Sequence, residues 1–179
     1  MWKALSWVDA LSLWSGRIAA WLTLVGILIL TYEVAGRYFF GFTWPLAHEL
    51  STKLLGVMYV LAGSYALLEK SHVGVDVLYS RMPRKVKAGI DVFVSVFFFL
   101  FVGAILIYGW EFFTDSYGRL QRSLENPELV VYPFKFFIPL GALLLLLQGI
   151  ANLIRDIAVL MGKSETEVDA KVQKVDRGY

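Results

Sequence analysis

The residues with chemistry to offer are few, and they sit where charge is expensive. The stretch YEVAGRYFFGFTWPLAHELSTK, residues 32–53, places Glu33, Arg37, His48, Glu49 and Lys53 in or beside two long apolar runs. Glu33 and Arg37 are four apart, so on a helix they share a face and can form an ion pair. Glu49 and Lys53 have the same spacing. A short turn at Gly41–Trp44 brings the two runs together, which lets Arg37 reach Glu49 as well. Ionisable groups inside a bilayer normally face protein or water and mark function. Three uses are open here: a structural clamp between the two helices, a polar contact to a second membrane protein, or an ion or proton relay. A relay favours an acid near the midplane facing a cavity. Glu33 lies past the middle of its run, and its neighbouring cation neutralises it.

Other chemistries find little support. The chain has two histidines, His48 and His72, which fall at opposite ends of one apolar run. Haem ligation across a four-helix bundle needs facing imidazoles at similar depth, so this pattern does not suit it. No zinc-ligand spacing occurs. Neither a phosphate-cradling G-x-x-x-x-G-K-[ST] nor a G-x-S-x-G elbow is present. With no cysteine, disulfides, thiolate metal sites and thiol catalysis are excluded. The sequence thus argues for no enzyme and no cofactor.

The elements that must hold the charges follow from hydropathy. The 179 residues are 58% hydrophobic, against about 45–50% in soluble domains. Val92 to Trp110 and Phe136 to Ile154 are free of charged side chains. Each would make a helix of about 28 Å, close to the bilayer hydrocarbon thickness. Ile18 to Phe40 is apolar apart from Glu33 and Arg37, and Leu46 to Leu68 apart from His48, Glu49 and Lys53. The remaining polar sequence is too short to wrap four such helices in a soluble fold. The expectation is an all-α integral membrane protein with four transmembrane helices, about 17–40, 46–68, 90–112 and 134–155, plus short interfacial amphipathic segments. The first run is read as an uncleaved helix, since no clean small-residue cleavage site follows it. No internal repeat stands out, which counts against a transporter built from inverted repeats within this chain.

Charge asymmetry sets the expected orientation. Outside the spans, twelve Lys and Arg residues fall on the side of the two termini and three on the other. The positive-inside rule therefore puts both termini in the cytoplasm of a multi-pass inner-membrane protein. Trp and Tyr concentrate toward span ends, as at membrane interfaces. The basic residues are scattered along the edges of apolar runs, which does not make a nucleic-acid surface.

Three flanking segments complete the organisation. Residues 1–15 carry Leu5, Val8 and Leu11 on one face, with Lys3, Asp9 and Ser12 on others. They read either as an interfacial helix or as an extension of the first span. The segment around residues 73–91 holds Arg81, Arg84, Lys85 and Lys87, with Pro83 as a helix breaker. Its basic residues suit the phosphates of membrane phospholipids at about 1 kcal/mol each, with a solvated loop as the plainer alternative. Residues 158–179 form a polar cytoplasmic tail of alternating charge, expected to be disordered or a frayed helix.

Taken in order, YEVAGRYFFGFTWPLAHEL, then LAGSYALLEKSHVGVDVLYSRMPRKVK, then PFKFFIPLGALLLLLQGIANLIRDI resemble the small, DctQ-type membrane subunit of tripartite ATP-independent periplasmic (TRAP) transporters. The likeness covers roughly residues 15–157. It includes Arg37-Tyr38 ending the first helix, Trp44 and Glu49 opening the second, the stretch from His72 to Asp76, and Pro139-Leu140-Gly141 opening the last. The resemblance implies a sodium-coupled system for organic acids. In such a system a periplasmic binding protein captures the acid and a large DctM-type subunit moves it elevator-fashion. The small subunit would pack beside the large one, enlarge its rigid part and help dock the binding protein. It would hold no substrate site. On that analogy Arg37, Trp44 and Glu49 fix the corner between helices one and two.

Two rivals remain at this level. One is a self-sufficient, proton-coupled four-helix exporter using Glu33, which the neighbouring Arg37 and the long second and third loops suit badly. The other is a membrane anchor for a redox complex, against which the histidine placement speaks.

Overall fold

A computed structural model describes residues 2–69 and 83–161. It contains four long helices: α1 (Trp2–Ala35), α2 (Pro45–Leu68), α3 (Arg84–Gly118) and α4 (Tyr132–Leu160). A π-helical turn, Gly36–Phe40, continues α1. Among the described residues, all four helices are long and apolar enough to cross a membrane. The helices outrun the spans expected from hydropathy at several ends. At 1.5 Å per residue α1 and α3 each reach about 50 Å, well beyond a hydrocarbon core of about 30 Å. Residues 2–15 are the first turns of α1, with no break before the apolar run. The stretch around His72, Arg81 and the tail beyond Met161 lie outside the described residues, and the side chains of Arg84 and Lys85 likewise. Lys87 sits half-buried in the first turn of α3.

Local signals account for the helix boundaries. Proline opens α2 at Pro45 and lies in the first turn of α4, where the missing N–H costs nothing. Gly41, at φ 67°, ends the π turn in the left-handed region, and the Phe42 N–H closes back on the Gly36 carbonyl at 3.3 Å. The end of α3 uses the same closure with a leucine. The N–H groups of Leu120 and Gln121 bond the carbonyls of Tyr117 and Ser116, and Leu120 takes φ 45°.

Close approaches fix the helix directions. Gly16 faces Tyr65 and Gly26 faces Leu55, so α1 and α2 run antiparallel. Gly149 faces Phe98 and Gly109 faces Ile138, so α3 and α4 do too. Gly141 lies against Val60 and Gly63 against Leu145, which makes α2 and α4 parallel. The result is an up-down-up-down bundle of two hairpins joined mainly along α2 and α4. Small residues at the crossings let backbones approach, the usual basis of helix association in lipid.

Burial is inverted relative to a soluble protein. Small and polar residues make up much of the interior: Ala19, Ala47, Ala142, Ala151, Ser12, Ser51, Ser64 and Gln148 are buried, beside Leu5, Val57, Leu61 and Val102. Large apolar side chains point outward, among them Trp21, Phe93, Phe97, Leu100, Phe101 and Tyr108. In water this surface would be an aggregation hazard. In hydrocarbon it is the solvated face.

Candidate functional site

The corner between α1 and α2 carries the residues singled out by spacing. Glu33 is buried, and Arg37 donates to it through its guanidinium. The two lie one turn apart where α1 passes into the π turn, so the pair forms within one helix. Arg37 stays more than half exposed while Glu33 is covered. The guanidinium thus offers its other donors outward. Beside it Tyr38, Phe39 and Phe40 are three consecutive exposed aromatics.

Trp44 precedes the first turn of α2 and meets Tyr32 edge to face, with centroids 6.4 Å apart. Tyr32 also contacts Phe42 at 5.8 Å. This aromatic group closes the corner. An added methyl at Gly36 would lie 2.6 Å from the Phe42 ring, so glycine there lets the ring fold back on the helix.

Glu49 finds its hydrogen-bond partner beyond the residues that local spacing offers. Among the described residues no ion pair joins it to Lys53 or to Arg37. Its Oε2 instead accepts from the Asn126 side-chain amide at 2.8 Å. Asn126 belongs to the connection between α3 and α4, which is built rather than loose. Arg122 and Val130 form an antiparallel bridge, and the Ser123 N–H donates to the Leu129 carbonyl at 2.9 Å. Ser123 Oγ accepts from the N–H groups of Glu125 and Asn126, and Arg122 donates to the Pro127 carbonyl. Lys135 and Ser116 both donate to Gln121 Oε1 at 2.7 Å, tying the hairpin to α3 and α4. A depression of about 240 Å³ lies between the α1–α2 corner and the α3–α4 connection, lined by Trp44, Pro45, Leu46, Asn126, Pro127 and Glu128.

The opposite end holds a polar cluster that local spacing did not single out. Gln148 is fully buried in α4. Its Oε1 accepts from Ser12 Oγ at 2.8 Å, and its Nε2 donates to Asp9 Oδ1 and Asn152 Oδ1 at 3.2 Å each. Arg155 donates to Asp9 Oδ2 at 2.5 Å and to Asn152 Oδ1 at 3.0 Å. Asn152 Nδ2 reaches the Leu67 carbonyl at 3.2 Å, satisfying one of the last acceptors of α2. Ser15 and Ser64 join α1 to α2 at 2.8 Å. The available signal was Gln148 and Asn152, two polar residues one helical turn apart inside LLLLLQGIAN.

A model of the DctQ component of tripartite ATP-independent periplasmic transporters matches residues 26–159. The chain belongs to the DctQ family. No curated protein matches it closely enough to add a named relative. A DctQ component is a small part of a transporter, and the family is not one of enzymes. The matched region takes in both corners, with Glu33, Arg37, Trp44, Glu49, Lys53 and the 121–131 hairpin. It also takes in the α4 half of the polar cluster. Asp9, Ser12 and Ser15 precede the matched region.

Proposed function

We propose that this DctQ component is the small, non-substrate-binding scaffold of a sodium-coupled TRAP transporter for organic acids. It packs beside the large DctM-type subunit and holds that subunit's fixed part still while the transporting part moves. The periplasmic binding protein docks partly on its corner end. Both termini lie in the cytoplasm of the inner membrane, as the distribution of Lys and Arg supports.

The observation that carries this reading is the distribution of side chains across the bundle. The interior holds many small residues and polar groups bonded to one another, with a few aliphatic side chains such as Val57, Leu61 and Val102. The outside, above all α3, is a broad apolar face. Such a body is suited to sit among lipids and other apolar helices. An elevator needs one part to stay still relative to another, and a wide lipid-matched partner supplies drag and area. At the corner end, the Glu49–Asn126 bond holds the α3–α4 hairpin against α2, giving an incoming protein a defined surface.

The exporter reading gains no support. It needs Glu33 as a proton carrier, yet Arg37 already engages that carboxylate, and the family is a component of a larger transporter. The deciding experiment is a mild-detergent purification of the tagged chain, expressed with its neighbouring genes, followed by mass spectrometry. A stoichiometric partner of many spans is expected. Recovery of the chain only with itself, together with solute movement by the isolated chain in liposomes, would overturn the reading.

A further inference from the structure

We propose that Asp9, Gln148, Asn152 and Arg155 form a polar latch that closes the α1–α2 hairpin onto the α3–α4 hairpin and holds the first turns of α1 inside the bundle. α1 meets α4 over a much shorter stretch than it meets α2. Within each hairpin the helices meet along most of their length, through the glycine contacts Gly16–Tyr65, Gly26–Leu55, Gly109–Ile138 and Gly149–Phe98. At the end of the bundle where α1 begins, the apolar contact between α1 and α4 is one small group, Leu5 on Ala151 with Val8 and Ile154 around it. Farther along, Ala19 and Leu22 of α1 share a cluster with Phe134, Phe137 and Leu144 of α4 that is centred on Val57 and Leu61 of α2. Around the Leu5–Ala151 group the contacts between the two helices are polar: Asp9 to Arg155, Asp9 to Gln148 and Ser12 to Gln148.

Gln148 lies inside the last apolar run, where contact between apolar side chains has no water to escape from and polar bonds carry a larger share of helix association. Here both charges are drawn in, with side-chain exposures of 18% for Asp9 and 14% for Arg155. Each Asp9 oxygen has a donor, and each Asn152 amide atom has a partner. Released from Arg155, the same turns of α1 have a second place to go. Trp7, Leu11, Leu13 and Trp14 are exposed on them, and an amphipathic helix with such residues is stable in the headgroup region. The latch selects the bundle over the membrane surface. Because the isolated chain carries every group involved, this inference stands or falls independently of the scaffold reading.

The chain has no cysteine, so introduced pairs report cleanly. Val8→Cys with Ile154→Cys reports α1 on α4, and Leu22→Cys with Met58→Cys, one residue each from α1 and α2 in the cluster around Val57 and Leu61, serves as control. A short bismaleimide is applied to the purified chain and to native membranes. Asp9→Asn and Arg155→Gln should each lower the α1–α4 crosslink by roughly three- to twentyfold, the range of single polar bonds between membrane helices, with the control unchanged. The swap Asp9→Arg with Arg155→Asp should restore it. An undiminished α1–α4 crosslink in both single variants would overturn the latch. If a single variant loses both crosslinks, the swap decides: return of both supports the latch, and return of neither overturns it.

Discussion

The Asn126 side-chain amide donates to Glu49 Oε2 across 2.8 Å, joining positions 77 residues apart. This bond fixes the α3–α4 hairpin against the start of α2. A hairpin already ordered by the Arg122–Val130 bridge is thereby placed as well as shaped. Glu49→Ala and Asn126→Ala remove the same contact from opposite sides. Each should raise protease cleavage within residues 121–131 several-fold and lower uptake by the assembled transporter. The double variant should be no worse than the weaker single one, since residues sharing one interaction do not add. Full additivity in a double-mutant cycle would show that Glu49 acts elsewhere.

The four-helix fold was legible because hydropathy over about 20 residues is a one-dimensional signal. Val92–Trp110 and Phe136–Ile154 carry no charge that competes with it. The pair Glu33–Arg37 lay within the same reach, one helical turn. Glu49 was legible as a notable residue but not in its partner, because i,i+4 spacing shows what can meet along one helix and is blind to a hairpin 77 residues on. Asp9 read as the polar side of an amphipathic turn, and Arg155 as one more basic residue past the last span. Their meeting depends on the register between α1 and α4, which no local pattern encodes. Gln148 and Asn152 were the hints, and their meaning needed Ser12 and Asp9 beside them.

Glu33 and Arg37 allow an asymmetric test. Glu33 is buried, whereas the Arg37 side chain is 56% exposed. Arg37→Ala strands a covered carboxylate, which costs about 1–3 kcal/mol for an unsatisfied buried acceptor. Arg37→Ala combined with Glu33→Gln removes the charge along with its partner. The single variant should therefore melt several degrees lower in detergent than the double. The reverse order would mean that Glu33 is stabilised by something other than Arg37.

The crossing of α2 and α4 rests on Gly141. A methyl group there would lie 2.1 Å from Val60 Cγ1 and 3.1 Å from the Val60 carbonyl oxygen. Val60 is β-branched and stiff on a helix, so the backbones must separate. At Gly149 the obstacle is the Phe98 ring, 2.4 Å away, which can turn aside. Gly141→Ala should cost about 1–3 kcal/mol, as overfilled interiors do, and Gly149→Ala clearly less. Adding Val60→Ala to Gly141→Ala should recover part of the loss. Thermal unfolding of the three variants, read by monodispersity in one detergent, ranks them.

Leu120 offers a gain instead of a loss. It holds φ 45° at the end of α3, directly after the last helical cap, and its side chain is 63% exposed. The N–H bonds from Leu120 and Gln121 to Tyr117 and Ser116 close a turn that glycine normally occupies. A left-handed residue with a Cβ costs about 1–2 kcal/mol, and the added chain entropy of glycine returns about 0.5–1 kcal/mol of that. Leu120→Gly should therefore stabilise the chain by up to about 1 kcal/mol and raise its melting midpoint slightly. A drop in that midpoint would mean that the exposed leucine contributes a contact worth more than the strain. Repeating the measurement in lipid nanodiscs and in detergent separates a contact with lipid, which only the nanodisc supplies, from one within the chain.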